Sequence, residues 1–293
     1  MKDFQPLPLA QVLGLSIEAV DMDGALRRIA AELQQRRKGY VCLAGVHGVT
    51  EARRDPSLAA IYSSSAITLP DGAPTAWVGR WQGHKHMRRV AGPELMLEVF
   101  RRREFSGYTH FLYGGEPGVA EELARRLTKR FPGTRIVGTF TPPFRELSDA
   151  EGEALIGQVR ESKPDIIWVG ISTPKQERFM HRYLDQLDTT LMFGVGAAFD
   201  FHTGRLKDAP NWIKKSGMQW LHRLLQDPRR LWRRYLRSNT TFLWHISLQL
   251  LGIRDYSTAR AQARNVLNTA YPTNIPGKAS PVLQSARHSR SHR

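Results

Sequence analysis

Cysteine is nearly absent: the 293-residue chain has one, Cys42, which excludes an intramolecular disulfide and a zinc site built on a cysteine cluster. Set in the apolar run "YVCLAG", Cys42 reads as a buried thiol, and the composition suits a reducing compartment. Long apolar runs are missing too. No segment approaches the ~20 uninterrupted apolar residues of a membrane-spanning helix, and the N-terminal "MKDFQPLPLAQVLGL" lacks the apolar core of a signal peptide. The expected compartment is the cytoplasm. Acidic residues are outnumbered, 27 Asp and Glu against 43 Lys and Arg, for a formal charge of +16. That excess attracts an anionic partner, and nucleic acid, anionic lipid head groups and phosphate-bearing substrates all qualify.

What is present is an alternation. Short runs rich in Val, Ile, Leu and Phe recur at "YVCLAG", "AITLP", "HFLYGG", "TRIVGTF", "DIIWVGIS" and "TLMFGVGAAFDF", and each reads as a strand buried on both faces. Between them, "PGVAEELARRLTKRF" and "SDAEGEALIGQVRES" carry apolar stripes at helical spacing, through Val119, Leu123 and Leu127, and through Leu155, Ile156 and Val159. Strands alternating with helices predict an α/β fold, a parallel sheet covered by helices on both faces. The composition changes after Gly204. From Arg205 to Arg237 Arg and Lys are dense, with Trp212, Trp220 and Trp232 interleaved, and the uncharged "SNTTFLWHISLQLLGI" follows. This predicts a basic helical appendage whose last apolar run suits an interfacial or a core helix. The Pro-, Ser- and Arg-rich end of the chain reads as a disordered tail.

Four stretches could carry chemistry. In "LPDGAPTAWVGR", Asp71 stands between a proline and a glycine at the end of an apolar run, either as a turn residue or as a base. In "FLYGGEPGVAEELARRL", the pair Gly114 and Gly115 precedes a helix, which suits a diphosphate held by backbone amides or simply a tight turn. In "VGISTPKQE", Lys175 and Gln176 follow a strand end, where ligands of parallel sheets bind, and Pro174 also suits a helix start. In "FGVGAAFDFHTG", small residues make room for a ligand beside Asp200, which is equally suited to capping a helix. Two stretches are set aside: Asp21 in "DMDG" more simply caps a helix, and His84 and His86 lack further ligands at metal spacing. No metal or other cofactor is expected.

Taken in order, "LPDGAP", "RRVAGPELM", "LYGGEPGVAEELA", "VGISTPKQE", "GVGAAFDFHTG" and "APNWIKKSGMQWLHRLLQDPRRLWRRYL" resemble the WecG/TagA/CpsF family of bacterial glycosyltransferases, glycosyltransferase family 26, from about Leu13 to Leu236. The resemblance implies a Rossmann-like core over 1–204, a basic, Trp-rich, membrane-associating appendage over 205–255 that completes the active site, and a tail over 256–293. It implies an inverting, metal-independent transfer from a UDP-sugar to a saccharide on undecaprenyl diphosphate in exopolysaccharide, capsule or teichoic acid assembly, at the inner face of the membrane. The donated sugar would be of the N-acetylmannosamine, mannosaminuronic acid or glucose type. Partners would be the donor, the lipid-linked acceptor and an anionic membrane surface, with room for self-association and without nucleic acid.

By position, Asp71 matches the proposed base and Arg89 an arginine of the pocket, while Gln176 and Asp200 match polar residues of the strand-end cleft. Arg223, Arg230 and Arg233 match arginines that reach back toward the diphosphate, a task suited to the planar, bidentate guanidinium. The sequence departs from the pattern at Leu43 and Gly45, where many relatives have a Thr-x-Asn signature, and at Asp208, where Arg is common. These departures bear on which sugars are joined. A nucleic-acid-binding protein is the rival suggested by the charge, and an NAD-dependent oxidoreductase the rival suggested by the alternating core. The first lacks a reading helix, and the second lacks the spaced glycine fingerprint with its downstream ribose acid.

Overall fold

The computed structural model describes residues 7–256. A hairpin comes first: β1 (Leu9–Val12) pairs antiparallel with β2 (Leu15–Glu18) across Leu13 and Gly14, whose φ values are 49° and 93°. Positive φ at both central residues is what tight two-residue hairpins require. Next come α1 (Met22–Gln34), β3 (Gly39–Ala44), α2 (Val46–Arg54), α3 (Pro56–Ser63), β4 (Ile67–Pro70), α4 (Ala73–Trp81) and α5 (Gly92–Arg101). The chain continues through β5 (Thr109–Gly114), α6 (Val119–Arg130), β6 (Arg135–Phe140), α7 (Asp149–Ser162), β7 (Ile166–Gly170), α8 (Lys175–Tyr183), β8 (Leu191–Gly194) and α9 (Ala198–His202). It ends with α10 (Asn211–Lys215), α11 (Gln219–Gln226) and α12 (Pro228–Leu250).

Six strands form one parallel sheet in the order β4-β3-β8-β7-β5-β6, so the fold is α/β and Rossmann-like. Side chains alternate between two core layers. Tyr40, Cys42 and Ala44 of β3 pack with α2, α3, α7, α8 and α12, whereas Val41 and Leu43 pack with α1, α5, α6 and α9. Burial on both faces is why these strands read as unbroken apolar runs. Cys42 is fully buried, as its surroundings in the sequence suggest, and Asp21 caps α1 by accepting from the Gly24 amide at 2.8 Å. Ser148 and Glu151 close a capping box at the start of α7.

Some expectations need correction. β6 is not buried on both faces: Arg135 is exposed and the rest half-buried at one sheet edge, whereas β4 at the other edge is fully buried, with β2 of the hairpin packed against it. The run "TLMFGVGAAFDF" is a strand only to Gly194. The chain then turns through Gly196 at φ 56°, and Asp200 sits inside the short helix α9. The hairpin at the start is an addition that the strand pattern did not announce.

α12 lies along α2. Phe242 and Ile246 are buried against the core, and single polar ties hold the rest: Arg54 donates to Thr241 Oγ1 at 2.9 Å, and the Leu13 amide to Gln249 Oε1 at 2.8 Å. Of the stretch read as a tail, Tyr256 is buried and hydrogen-bonds His245 Nδ1 at 2.7 Å, while 257–293 lie outside the described residues.

Gly114, at the end of β5, has φ 131°, and a Cβ there would fall 2.6 Å from the Gly170 carbonyl oxygen. Gly114→Ala should therefore lower the unfolding free energy by ~2 kcal/mol or more, read by urea denaturation.

Candidate active site

The carboxyl ends of β3, β4 and β8 open into a cavity of about 900 Å³, closed on the far side by α10, α11 and α12. Strand ends are a natural ligand position because the backbone there has finished its sheet pairing while loops and helix starts converge. Asp71 follows the last residue of β4. Its amide donates to the Ala44 carbonyl at 3.2 Å, Gly72 turns the chain at φ 90°, and buried Thr75 donates to the carbonyls of Asp71 and Gly72 at 3.1 and 3.0 Å. The turn is thus held through its backbone, by one main-chain bond and the Thr75 hydroxyl, and the Asp71 side chain faces the cavity. No described group hydrogen-bonds to its carboxylate. Burial pushes the Asp71 carboxyl up to about 6, with Arg89 opposing that rise and Glu94 adding to it.

Arg89 is held in a network that joins the sheet region to the C-terminal helices. Its guanidinium donates to both Glu94 oxygens, at 2.9 and 2.8 Å, and to Gln219 Oε1 at 3.0 Å. Lys214 stands 3.2 Å from Glu94 and also pairs with Asp208. Gln176 is 2% exposed. Its Nε2 donates to the Gly194 carbonyl at 3.1 Å and its Oε1 accepts from the Gly196 amide at 2.9 Å, so its amide holds the loop after β8 against the cavity. Ser172, also on the cavity wall, adopts φ 67°, a left-handed conformation uncommon outside glycine.

Asp71, Arg89, Gln176 and Arg223 therefore share one cavity. Arg223 lies over the Phe201 ring at 5.2 Å. Gly114, Gly115 and Asp200 do not line it: the glycines serve close packing of β5 on Gly170 and Val119, and Asp200 belongs to α9. Arg233 is exposed and lies over the Trp232 ring at 5.2 Å, and the Arg230 side chain is outside the described set. The neighbouring Arg234 lines the cavity instead, as does His47, whose Nδ1 is 3.2 Å from Ser238 Oγ. Burial and the Arg234 charge lower His47 to about 4, leaving a neutral imidazole. A helical phase drawn through Arg234, Ser238 and Phe242 identifies the arginine that faces the core. The local run "LWRRYL" alone does not separate it from Arg233. Among the described residues no three His, Cys, Asp or Glu side chains are grouped to hold a metal ion, and His86 is occupied with the Ala19 carbonyl at 2.6 Å.

The lining combines charged groups with apolar side chains that reach solvent: Trp81 (64% exposed), Trp232 (47%), Leu236 (60%) and Leu243 (64%).

Residues 10–256 match the sequence model of a family described as "Glycosyl transferase WecG/TagA/CpsF family". The chain is 30% identical over 207 residues to a Bacillus spizizenii (strain ATCC 23059 / NRRL B-14472 / W23) protein named N-acetylglucosaminyldiphosphoundecaprenol N-acetyl-beta-D-mannosaminyltransferase. That match covers 70% of this chain and 77% of the relative. A protein of the same name from Bacillus subtilis (strain 168) is 27% identical over 176 residues, 60% of this chain and 66% of the relative.

In the free protein, a carbon-13 NMR titration of the Asp71 carboxyl should give a midpoint near 6. Arg89→Ala should raise that midpoint, since it removes the opposing positive charge and releases Glu94 beside it.

Proposed function

Because the chain belongs to the WecG/TagA/CpsF family of glycosyl transferases, matched over residues 10–256, we propose that it moves a sugar from a UDP-sugar to a saccharide carried on undecaprenyl diphosphate, with inversion and with Asp71 as base. The observation that carries this reading is a carboxylate to which no described group hydrogen-bonds, facing a cavity lined by both cations and solvent-reaching apolar side chains. That combination matches an acceptor with a hydroxyl, a diphosphate and a hydrocarbon chain. Both relatives are named for an acceptor of this kind, N-acetylglucosaminyldiphosphoundecaprenol.

In the proposed step, the acceptor hydroxyl gives its proton to Asp71 as its oxygen bonds to the anomeric carbon of the donor. The bond from that carbon to the UDP oxygen breaks on the opposite face, and one displacement inverts the configuration. A carboxylate is a weak base, but an oxocarbenium-like transition state asks little of it once the groups are aligned. The departing diphosphate gains negative charge, and guanidinium groups of the cavity, Arg223 and Arg234 among them, can meet it with directed hydrogen bonds. Arginines turned into a cavity suit a small anionic group better than a nucleic acid backbone.

Residues 205–255 then serve as an appendage that both completes the cavity and meets the membrane at its inner face. Among the described residues no helix is long and apolar enough to cross a bilayer. Attachment would be peripheral, through exposed tryptophan and leucine at head-group level and through Lys and Arg, each contributing about 1 kcal/mol at an anionic surface. Binding to anionic vesicles should accordingly weaken as salt is raised in a sedimentation assay.

The direct test incubates the protein with a panel of UDP-sugars and undecaprenyl-diphosphate saccharides and measures UDP release. Turnover is expected with at least one pair, and none with any pair would sink the reading. Asp71→Asn, which keeps shape and removes basicity, should slow turnover roughly 10²- to 10⁴-fold. The parent rate should rise with pH through about 6 and then level, because protonation below that point removes the base.

A further inference from the structure

Position 45 has no conformational need for glycine. Its φ of −91° and ψ of 176° are extended values open to any residue. It is also the N-cap of α2, where Ser, Asn, Asp or Thr would ordinarily bond the first helical turn, and no side-chain bond closes that turn here. What a side chain would meet is the candidate base. A Cβ built on Gly45 falls 3.1 Å from the Asp71 carbonyl oxygen and 3.4 Å from Asp71 Oδ2. A methyl group there is a tight fit that asks the Asp71 carbonyl to give by a few tenths of an ångström, while a hydroxyl or amide one bond further out comes within hydrogen-bonding reach of the carboxylate.

Resting on the reading of Asp71 as base, we propose that Gly45 is a tuning residue: by offering no donor, it leaves the Asp71 carboxylate unbonded until the acceptor hydroxyl arrives. The two residues are brought together by sheet register, since Ala44 of β3 pairs with Pro70 of β4 and each is followed directly by one member of the pair. Other charged and titratable groups share the cavity: Arg89, Glu94 beside it, His47 on α2, Lys214 on α10, Arg223 on α11 and Arg234 on α12. Tyr62 on α3 also feels the Asp71 charge. No described group hydrogen-bonds the Asp71 carboxylate, so a donor at position 45, within reach of its Oδ2, would be the first among the described residues. A donor there favours the charged form, which makes the carboxyl more acidic and the carboxylate a poorer base.

The experiment compares the parent with Gly45→Ala, Gly45→Ser and Gly45→Asn. Each is checked for folding by thermal melting, then followed through the pH dependence of kcat/KM and the carbon-13 titration of Asp71. Gly45→Ala adds bulk without a donor and should leave the acid limb near 6. The serine and asparagine variants should move both the limb and the NMR midpoint down by about one pH unit and lower the plateau several-fold, as hydrogen bonding to a carboxylate requires. An unmoved limb in folded serine and asparagine variants, alongside an inactive Asp71→Asn, would overturn the tuning role alone. Parent-like turnover in Asp71→Asn would overturn the base reading and the role of Gly45 with it.

Discussion

The last rung of the β3–β4 ladder, Ala44 opposite Pro70, is the constraint on which the site depends. Parallel strands end together only if their register is fixed, and here the buried runs on both leave little freedom to slip. One residue beyond the rung, the Asp71 amide still bonds the Ala44 carbonyl, and Gly72 and Thr75 turn the chain into α4. The carboxylate is thereby aimed through bonds to its own backbone, with the Ala44 carbonyl and the Thr75 hydroxyl. A carboxylate held in this way needs no partner on its own side chain to orient it.

Charge is arranged around that carboxylate rather than on it. Arg89 is committed to Glu94 and Gln219, and Glu94 in turn to Lys214, which pairs with Asp208. Half-buried ion pairs contribute little net stability, since desolvation offsets most of their attraction. Their effect here is geometric: the network ties the segment before α5 to α10 and α11, so the cavity walls and the appendage are positioned together. Lys214 is balanced from two sides, by Glu94 and by Asp208, so its charge is largely spent within the network rather than offered to the cavity.

How much could be read from the sequence follows from which signals are local. The six parallel strands and the cap at Asp21 were legible because double-sided burial and capping leave their mark within a few residues. Asp71 was legible as a strand-end carboxylate and ambiguous as a turn. Its environment depends on Arg89 and Gly45, which are distant in the chain and near in space. The exposure of β6 was hidden because an apolar run does not reveal what packs over the strand at a sheet edge: β2 packs on β4, and β6 is left half-buried. The helical placement of Asp200 was hidden because its run continues across a turn set by Gly196. Arg234 was missed in favour of Arg233 because a one-residue choice on a helix is a choice of face, decided by where Phe242 and Ile246 pack.

The same phase argument explains the two faces of α12. Leu231, Ser238, Phe242 and Ile246 recur at helical spacing and are buried, while Trp232, Leu236, Leu243 and Trp244 are left exposed. Burying one such side chain is worth ~1.5–3 kcal/mol, so a row left in water opposes solubility unless something covers it. Leu250, Leu251 and Ile253 extend the exposed apolar surface past the helix end. The apolar wall of the cavity is continuous with this surface through Leu236 and Leu243. A hydrocarbon chain leaving the cavity along α12 would therefore run over apolar side chains. One helix thus lends Arg234 and Ser238 to the cavity wall and carries an exposed apolar row beside them.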